Sequence, residues 1–543
     1  MKKIVDGIAN MANEIGGTKS YQKSNGGTNS QGMKLPSKNT VLKILKFLNF
    51  IGLWQIMLYT IAIELIFPQS SRSNFLNLHF IKIQYDKIYH FLGDYLGMGI
   101  WIMIIVFNSI LLYKKCKNKK SGGFGNINTL KNVFSGFYIT ISGKKKILIE
   151  ENTDGHFLIV GGQGSGKTAG VAIPTLQHWK DRVFAIDIKP ELRKKSEREK
   201  KHPCKVFGIG NLGYNPFYLL RKNEKERVPN AREIAMILIP LDHEVKDPIW
   251  IQSAQNLLTA AILYWYKDYT FGEVIEKTLS SSPRELVTEL SKSEDNKIKI
   301  YNNAFVDMAD KQLASVYNNL TANLADIASN DTLLELLSDN KNNIIPDDIL
   351  SCDIFLEIKE NLLEQWGSVT TMITNQFLKF FESRNEYTIE KNTLFMLDEF
   401  ARLGKMPSIT NGLATLRSKK VKMCLILQSL SQLDLIYGEN TRKVIADNCN
   451  YKIILKATDP STQKYFSDLL GTHEVEEVSH SNAVDGIFEK NKTKTRSIKE
   501  KNIFNPELFG RLDKQMILID NTNFYMLDQT RYYEKKYQKS IEK

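Results

Sequence analysis

The sequence predicts an α/β domain, interrupted by an all-α domain and preceded by two N-terminal transmembrane helices. Three observations carry this expectation. The stretch "GGQGSGKT", Gly161–Thr168, stands between an apolar run and a helical pattern. Short aliphatic runs recur without strict alternation, as in strands buried on both faces of a parallel sheet. Two long apolar runs near the N-terminus are flanked by lysines.

The 543 residues leave room for one to three domains and a sizeable core. Lys and Arg number 73 against 60 Asp and Glu, a net charge of +13. That surplus suits an anionic partner, nucleic acid or lipid headgroups, although a generally Lys-rich proteome produces the same balance. The five cysteines, Cys116, Cys204, Cys352, Cys424 and Cys449, include no C-x-x-C pair. That argues against a zinc ribbon or a disulfide scaffold and fits a reducing compartment.

Residues 1–42 contain "GGTKSYQKSNGGTNSQG" and are expected to be a disordered cytoplasmic tail. Residues 43–120 read as a membrane anchor. Its first span, Phe47–Phe67, covers about 30 Å as a helix, the thickness of the hydrocarbon core. The second, Leu96–Tyr113, is shorter but uncharged. Eight lysines precede the first span and "KKCKNKK" follows the second, while the loop between them is nearly balanced. The positive-inside rule then puts both termini in the cytoplasm and the loop outside. A cleaved signal peptide is not expected, because the apolar run starts late and no small-residue cleavage site follows. Glu64 is expected near the outer interface.

Residues 121–246 and 341–533 read as the nucleotide-binding domain. "FYITISGKKKILIE" suggests a hairpin turning at Ser142-Gly143. Strands are expected at 157–160, 183–187, 205–209, 352–358, 393–398, 422–428 and 451–457. Residues 247–340 lack a convincing strand and show helical spacing, so they form the inserted all-α domain. Trp179, Trp250, Trp265 and Trp366 read as packing residues. Residues 534–543 form a charged tail, expected to fray.

Gly161, Gly162, Gln163, Gly164, Ser165, Gly166, Lys167 and Thr168 match the full P-loop pattern, G-x-x-x-x-G-K-[ST]. Glycines let backbone N–H groups converge on phosphate, Lys167 reaches the β/γ-phosphates, and Thr168 offers a hydroxyl to Mg²⁺. Pro174 is expected to kink or shorten the helix that follows. "TLFMLDEF" ends a buried strand in Asp398-Glu399, at the ligand edge of the sheet. Asp398 is expected to hold Mg²⁺ and Glu399 to act as general base on the attacking water. No LSGGQ-like signature of an ABC transporter and no N-K-x-D base-reading motif of a GTPase is present. ATP hydrolysis is the expectation.

Taken in order, "VGGQGSGKTAGVAIPTL", "FAIDIKPEL", "YNPF", "DPIWIQSAQNLLTAAIL", "LFMLDEFARLGKMP" and "LILQSLSQLDLIYG" resemble the TraG/TraD-type coupling proteins of bacterial conjugation and type IV secretion. The resemblance runs from about residue 130 to 533. It implies a RecA-like P-loop NTPase domain with an inserted all-α domain, assembled as a hexameric ring on the inner membrane. It implies recruitment of a relaxase bound to DNA, or of effector proteins, and their delivery to a secretion channel with ATP and Mg²⁺. By position, Arg417 matches an arginine that reaches a neighbouring subunit's γ-phosphate, and Gln428 a residue that senses that phosphate or orients water. "RSKKVK", Arg417–Lys422, is a candidate DNA-facing cluster or a solvated helix end. Some family members carry a long C-terminal extension, and none is expected here after "YMLDQTRYY".

Two other readings stay open on sequence alone. One is a docking receptor for secreted proteins in which ATP acts as an assembly switch. The other is a chromosome translocase of the FtsK type, disfavoured by the pairing of "DEFARLG" with "QSLSQL" and by the lack of room for a C-terminal winged helix.

Overall fold

The computed structural model describes residues 124, 125 and 135–541, except 144, 242–246, 387–389, 485–489 and 522. The N-terminal tail and both expected membrane spans lie outside the described residues. Among the described residues, no helix is long and apolar enough to cross a membrane.

The chain opens with the expected hairpin, β1 (Gly136–Ser142) and β2 (Lys145–Glu150). The central strands follow: β3 (Phe157–Val160), β4 (Arg182–Asp187), β5 (Cys204–Phe207), β6 (Asp353–Glu357), β7 (Thr393–Leu397), β8 (Val421–Leu427) and β9 (Tyr451–Ile454). These seven run parallel. Two hairpins were not foreseen: β10 (Thr472–Val484) with β11 (Lys490–Asn502), and β12 (Gln515–Asp520) with β13 (Asn523–Asp528). β12 pairs antiparallel with β9, so the sheet has nine strands in the order β13-β12-β9-β3-β8-β7-β4-β6-β5.

Both faces of the parallel strands are covered, which explains their continuous apolar character. Side chains alternate between two cores. Leu158, Val160, Phe184 and Ile186 enter the larger core with the helices of the insert. Phe157, Ile159, Val183 and Ala185 enter the second with β1 and the Ile173–His178 helix. There Phe137 stacks on Phe157, with ring centroids 3.8 Å apart.

Between β5 and β6 the path is helical. It begins earlier than residue 247, with Tyr218–Lys222 and Arg227–Leu238. The helices Ile249–Trp265, Phe271–Ser280, Pro283–Ser291, Asn296–Val306, Asp310–Ala328 and Asp331–Leu336 follow. Capping boxes start two of them. Thr270 pairs with Glu273 and Ser282 with Glu285, each satisfying amides that a helix end leaves open. The insert shares one continuous core with the sheet. The Leu363–Glu382 helix lies in that core, its Phe377 ring 4.9 Å from Phe184. Trp179 is fully buried in the second core and Trp366 in the larger one, on which Trp250 and Trp265 also pack.

The tail differs from expectation. Lys535–Ile541 is a helix that packs back on the hairpin. Tyr537 is fully buried, donates to Gln177 Oε1 at 2.6 Å and meets Tyr138 edge-on. One aromatic anchor outweighs the charge of its neighbours.

Candidate nucleotide site

The loop Gly161–Thr168 emerges from β3 and is pinned on both sides. Gly161 N–H donates to Leu427 O at 3.1 Å, and Gly162 N–H to Lys456 O at 2.7 Å. Gly164 and Gly166 take φ of +72° and +92°, which only glycine adopts readily. A methyl group at Gly161 would meet Leu455 and Ser165 at 2.7 Å. Thr168–Ala172 is one π-helical turn, and Pro174 opens the α-helix after it. The proline therefore sits in a first turn, where its missing N–H costs little.

Lys167 Nζ donates to Gly161 O at 2.7 Å, contacts Gly162 O at 3.4 Å and lies 4.0 Å from Glu399 Oε1. Burial lowers its pKa, while Glu399 and Asp398 pull the other way. Asp398 and Glu399 follow directly on β7. The Asp398 carboxyl accepts from Glu399 N–H at 3.1 Å and is pushed up to about 7, first by burial and then by the charges of Glu399 and Asp187. Glu399 Oε2 accepts from Gln428 Nε2 at 3.1 Å. The C-terminal ends of β3, β7 and β8 thus bring Lys167, Asp398, Glu399 and Gln428 together, as parallel strands do at their ligand edge.

Two residues at this edge were missed. Asp187 ends β4, is fully buried and accepts from Glu191 N–H at 3.1 Å and Leu192 N–H at 2.7 Å. Burial pushes its carboxyl up to about 6. Gln529, after β13, donates from Nε2 to Gly166 O at 3.0 Å. A signal for the latter existed: "QMILIDNTNFYMLDQ" holds two apolar runs around a polar turn, a hairpin pattern.

Arg417 stands apart from this cluster. It lies on the turn before β8, whereas Gln428 follows β8, and seven strand residues separate them by roughly 20 Å. Arg417 Nη2 contacts Asp154 Oδ2 at 3.0 Å, on the surface. The rest of "RSKKVK" is engaged locally. Lys419 and Lys420 donate to Arg384 O and Glu390 O, at 2.6 and 3.2 Å, and Lys422 is buried in β8.

The donor set suits Mg²⁺ arriving with phosphates. The Thr168 hydroxyl and the carboxylates of Asp398 and Asp187 are hard oxygen ligands. Among the described residues, no group of three His, Cys, Asp or Glu gathers to hold an ion by itself. Ser165 Oγ is buried without a hydrogen-bond partner among the described residues, as expected of a loop built around something else.

A parallel sheet bearing this loop, with carboxylates on the next-but-one strand, defines a P-loop NTPase of the RecA-like type. Within that class, the chain belongs to the type IV secretory system conjugative DNA transfer family, which it matches over residues 117–543, and it is a coupling protein of the TraG/VirD4 type. Protein VirD4 of Rhizobium rhizogenes is 25% identical over 411 residues, covering 70% of this chain and 58% of that protein. Conjugal transfer protein TraG of Agrobacterium fabrum is 24% identical over 409 residues, covering 69% and 60%. The chain therefore spans less than two thirds of the length of these relatives. Among solved structures, the unbound conjugative coupling protein TrwBΔN70 superposes with a TM-score of 0.57 at 17% identity, covering 76% of this chain and 96% of that one. TrwB has also been solved with ADP and Mg²⁺, with the same TM-score.

Proposed function

We propose that this chain is a membrane-anchored ATPase that recruits DNA, free or carrying a relaxase, and feeds it to a type IV secretion channel. The observation that carries the reading is the meeting of Lys167, Asp398, Glu399 and Gln428 at one sheet edge, in a chain of the conjugative DNA transfer family. TrwB structures with a non-hydrolysable ATP analogue and with ADP and Mg²⁺ support nucleotide and Mg²⁺ as its ligands.

In this mechanism the loop amides and Lys167 hold the β- and γ-phosphates, neutralising charge as the bond between them breaks. Glu399 accepts a proton from the water that attacks the γ-phosphorus, and ADP leaves with the bridging oxygen. Gln428, bonded to the same carboxylate, orients that water. Thr168 and Asp398 would hold Mg²⁺, which draws charge from the phosphate oxygens. Burial favours the protonated form of Asp398, and a cation held there would favour its carboxylate. Arg417 acts on a neighbouring subunit in a ring, expected to be a hexamer. Residues 47–67 and 96–113 anchor the chain in the inner membrane with both ends in the cytoplasm.

The test uses the full-length chain, recovered from membranes with detergent and not with salt. ATP turnover is expected, rising when single-stranded DNA is added and lost in Lys167→Ala. Turnover that ignores DNA, in a protein that binds none, overturns the DNA cargo and leaves protein effectors. No turnover at all overturns the motor.

A further inference from the structure

The segment that leaves β13 lies along the opening turn of the helix after the phosphate loop. Gln529 is 6% exposed and bonded to Gly166 O. A methyl group on Gly166 or Gly170 would meet its side chain at 2.6 or 2.5 Å. Three residues on, Tyr532 N–H donates to Ala169 O at 2.9 Å.

Sheet order tells which end of a nucleotide meets this segment. β3 carries the loop. β8 and β7, ending in Gln428 and Asp398-Glu399, stand on one side of it, and β9, β12 and β13 stand on the other. Lys167, which serves the β/γ end, leans toward Glu399. The γ-phosphate then lies on the β7–β8 flank, and the nucleoside leaves toward the flank of β13.

Thr530 Oγ1 faces Thr140 Oγ1 at 3.5 Å, while its neighbour Gln529 faces the loop. Arg531 Nη1 donates to the Tyr533 hydroxyl at 3.0 Å, and its Nε has no hydrogen-bond partner among the described residues. Tyr532 packs on the cores, whereas Tyr533 is half exposed.

We propose that Arg531 and Tyr533 form the nucleoside wall of the site. Tyr533 offers a ring face to the base, and Arg531 donates to the ribose or the α-phosphate. Gln529 fixes this wall against the loop. The proposal rests on the nucleotide reading above and adds the residues that grip the part of the nucleotide the P-loop does not.

Calorimetric titration of the full-length chain with ADP and, separately, with inorganic tripolyphosphate tests it. Tyr533→Ala and Arg531→Ala are expected to weaken ADP binding about five- to tenfold, the scale of one stacked base, and to leave tripolyphosphate binding unchanged. Tyr533→Phe, which keeps the ring, is expected to bind ADP more tightly than Tyr533→Ala. Equal weakening of both ligands, or no weakening of ADP, overturns the wall. A parent chain that binds neither ligand overturns the nucleotide reading itself, so the two failures are told apart.

Discussion

Glu399 holds a left-handed backbone, φ 50°, which costs a residue with a Cβ about 1 kcal/mol or more. That geometry sets its carboxylate between Lys167 Nζ and Gln428 Nε2. Strain of this kind persists where function requires it. Glu399→Gln keeps the shape and removes the proton acceptor. Nucleotide binding is expected near the parent's, with phosphate release in a single turnover slower by about 100- to 10,000-fold. A second residue prediction concerns His156. Its Nδ1 accepts from Met423 N–H at 3.0 Å, so Nε2 carries the proton and donates to Leu413 O at 3.0 Å. Burial depresses its pKa to about 4. As pH falls below the unfolded value near 6.5, the unfolded chain takes a proton that the folded chain refuses, and stability drops until about pH 4. The raised Asp187 and Asp398 carboxyls act in the opposite direction over that range, so the test is differential. Between pH 7 and pH 5, the unfolding free energy is expected to fall by about 2 kcal/mol less in His156→Gln than in the parent, as read by urea titration. At this scale the sequence showed what is local. Eight consecutive residues spell the loop, and Asp398-Glu399 ends an obvious strand. Asp187 ends an equally ordinary strand and carries no mark of its depth. Gln529 acts on Gly166 from 363 positions away, so the hairpin pattern before it could be read from the sequence but its partner could not.

Elements were legible wherever burial wrote a pattern. β3 through β9 are apolar on both faces because helices cover both, and the β1–β2 hairpin turns where Ser142-Gly143 predicted. The β10–β11 hairpin was invisible because it has no apolar stripe. Its visible logic is charge, Glu477 meeting Lys499 at 2.8 Å and Lys501 at 2.6 Å across the strands. The terminal helix was misread for a related reason. "KKYQKSI" is mostly lysine and polar residues, yet Tyr537 alone buries a full ring against Tyr138 and His178. Truncating a buried aromatic costs about 3–5 kcal/mol. Tyr537→Ala is therefore expected to lower the urea midpoint clearly, while Lys539→Ala, on the exposed side of the same helix, leaves it nearly unchanged. Equal, small effects for both would mean that the tail is not docked in solution.

At the scale of the whole molecule, the separation between Arg417 and Glu399 matters most. The two sit at opposite ends of parallel strands, so Arg417 is out of reach of its own subunit's phosphates. Its pairing with Asp154 is solvent-exposed, and such pairs contribute at most about 1 kcal/mol. Arg417→Ala is thus expected to fold and to bind nucleotide normally. If the guanidinium serves a neighbour, its loss abolishes turnover only through assembly, in the manner of an arginine supplied in trans. Mixing makes this decisive. Lys167→Ala cannot bind nucleotide but still presents Arg417, and Arg417→Ala keeps an intact cradle that lacks the arginine. Each is expected to be inactive alone. Combined under conditions that exchange subunits, they are expected to regain turnover, because a Lys167→Ala subunit then lends its arginine to an Arg417→Ala site next to it. Restored ATP hydrolysis in the mixture requires both assembly and a shared active site. Continued inactivity, with mixed oligomers demonstrated by crosslinking, would remove Arg417 from the catalytic machinery and leave it as a surface residue paired with Asp154.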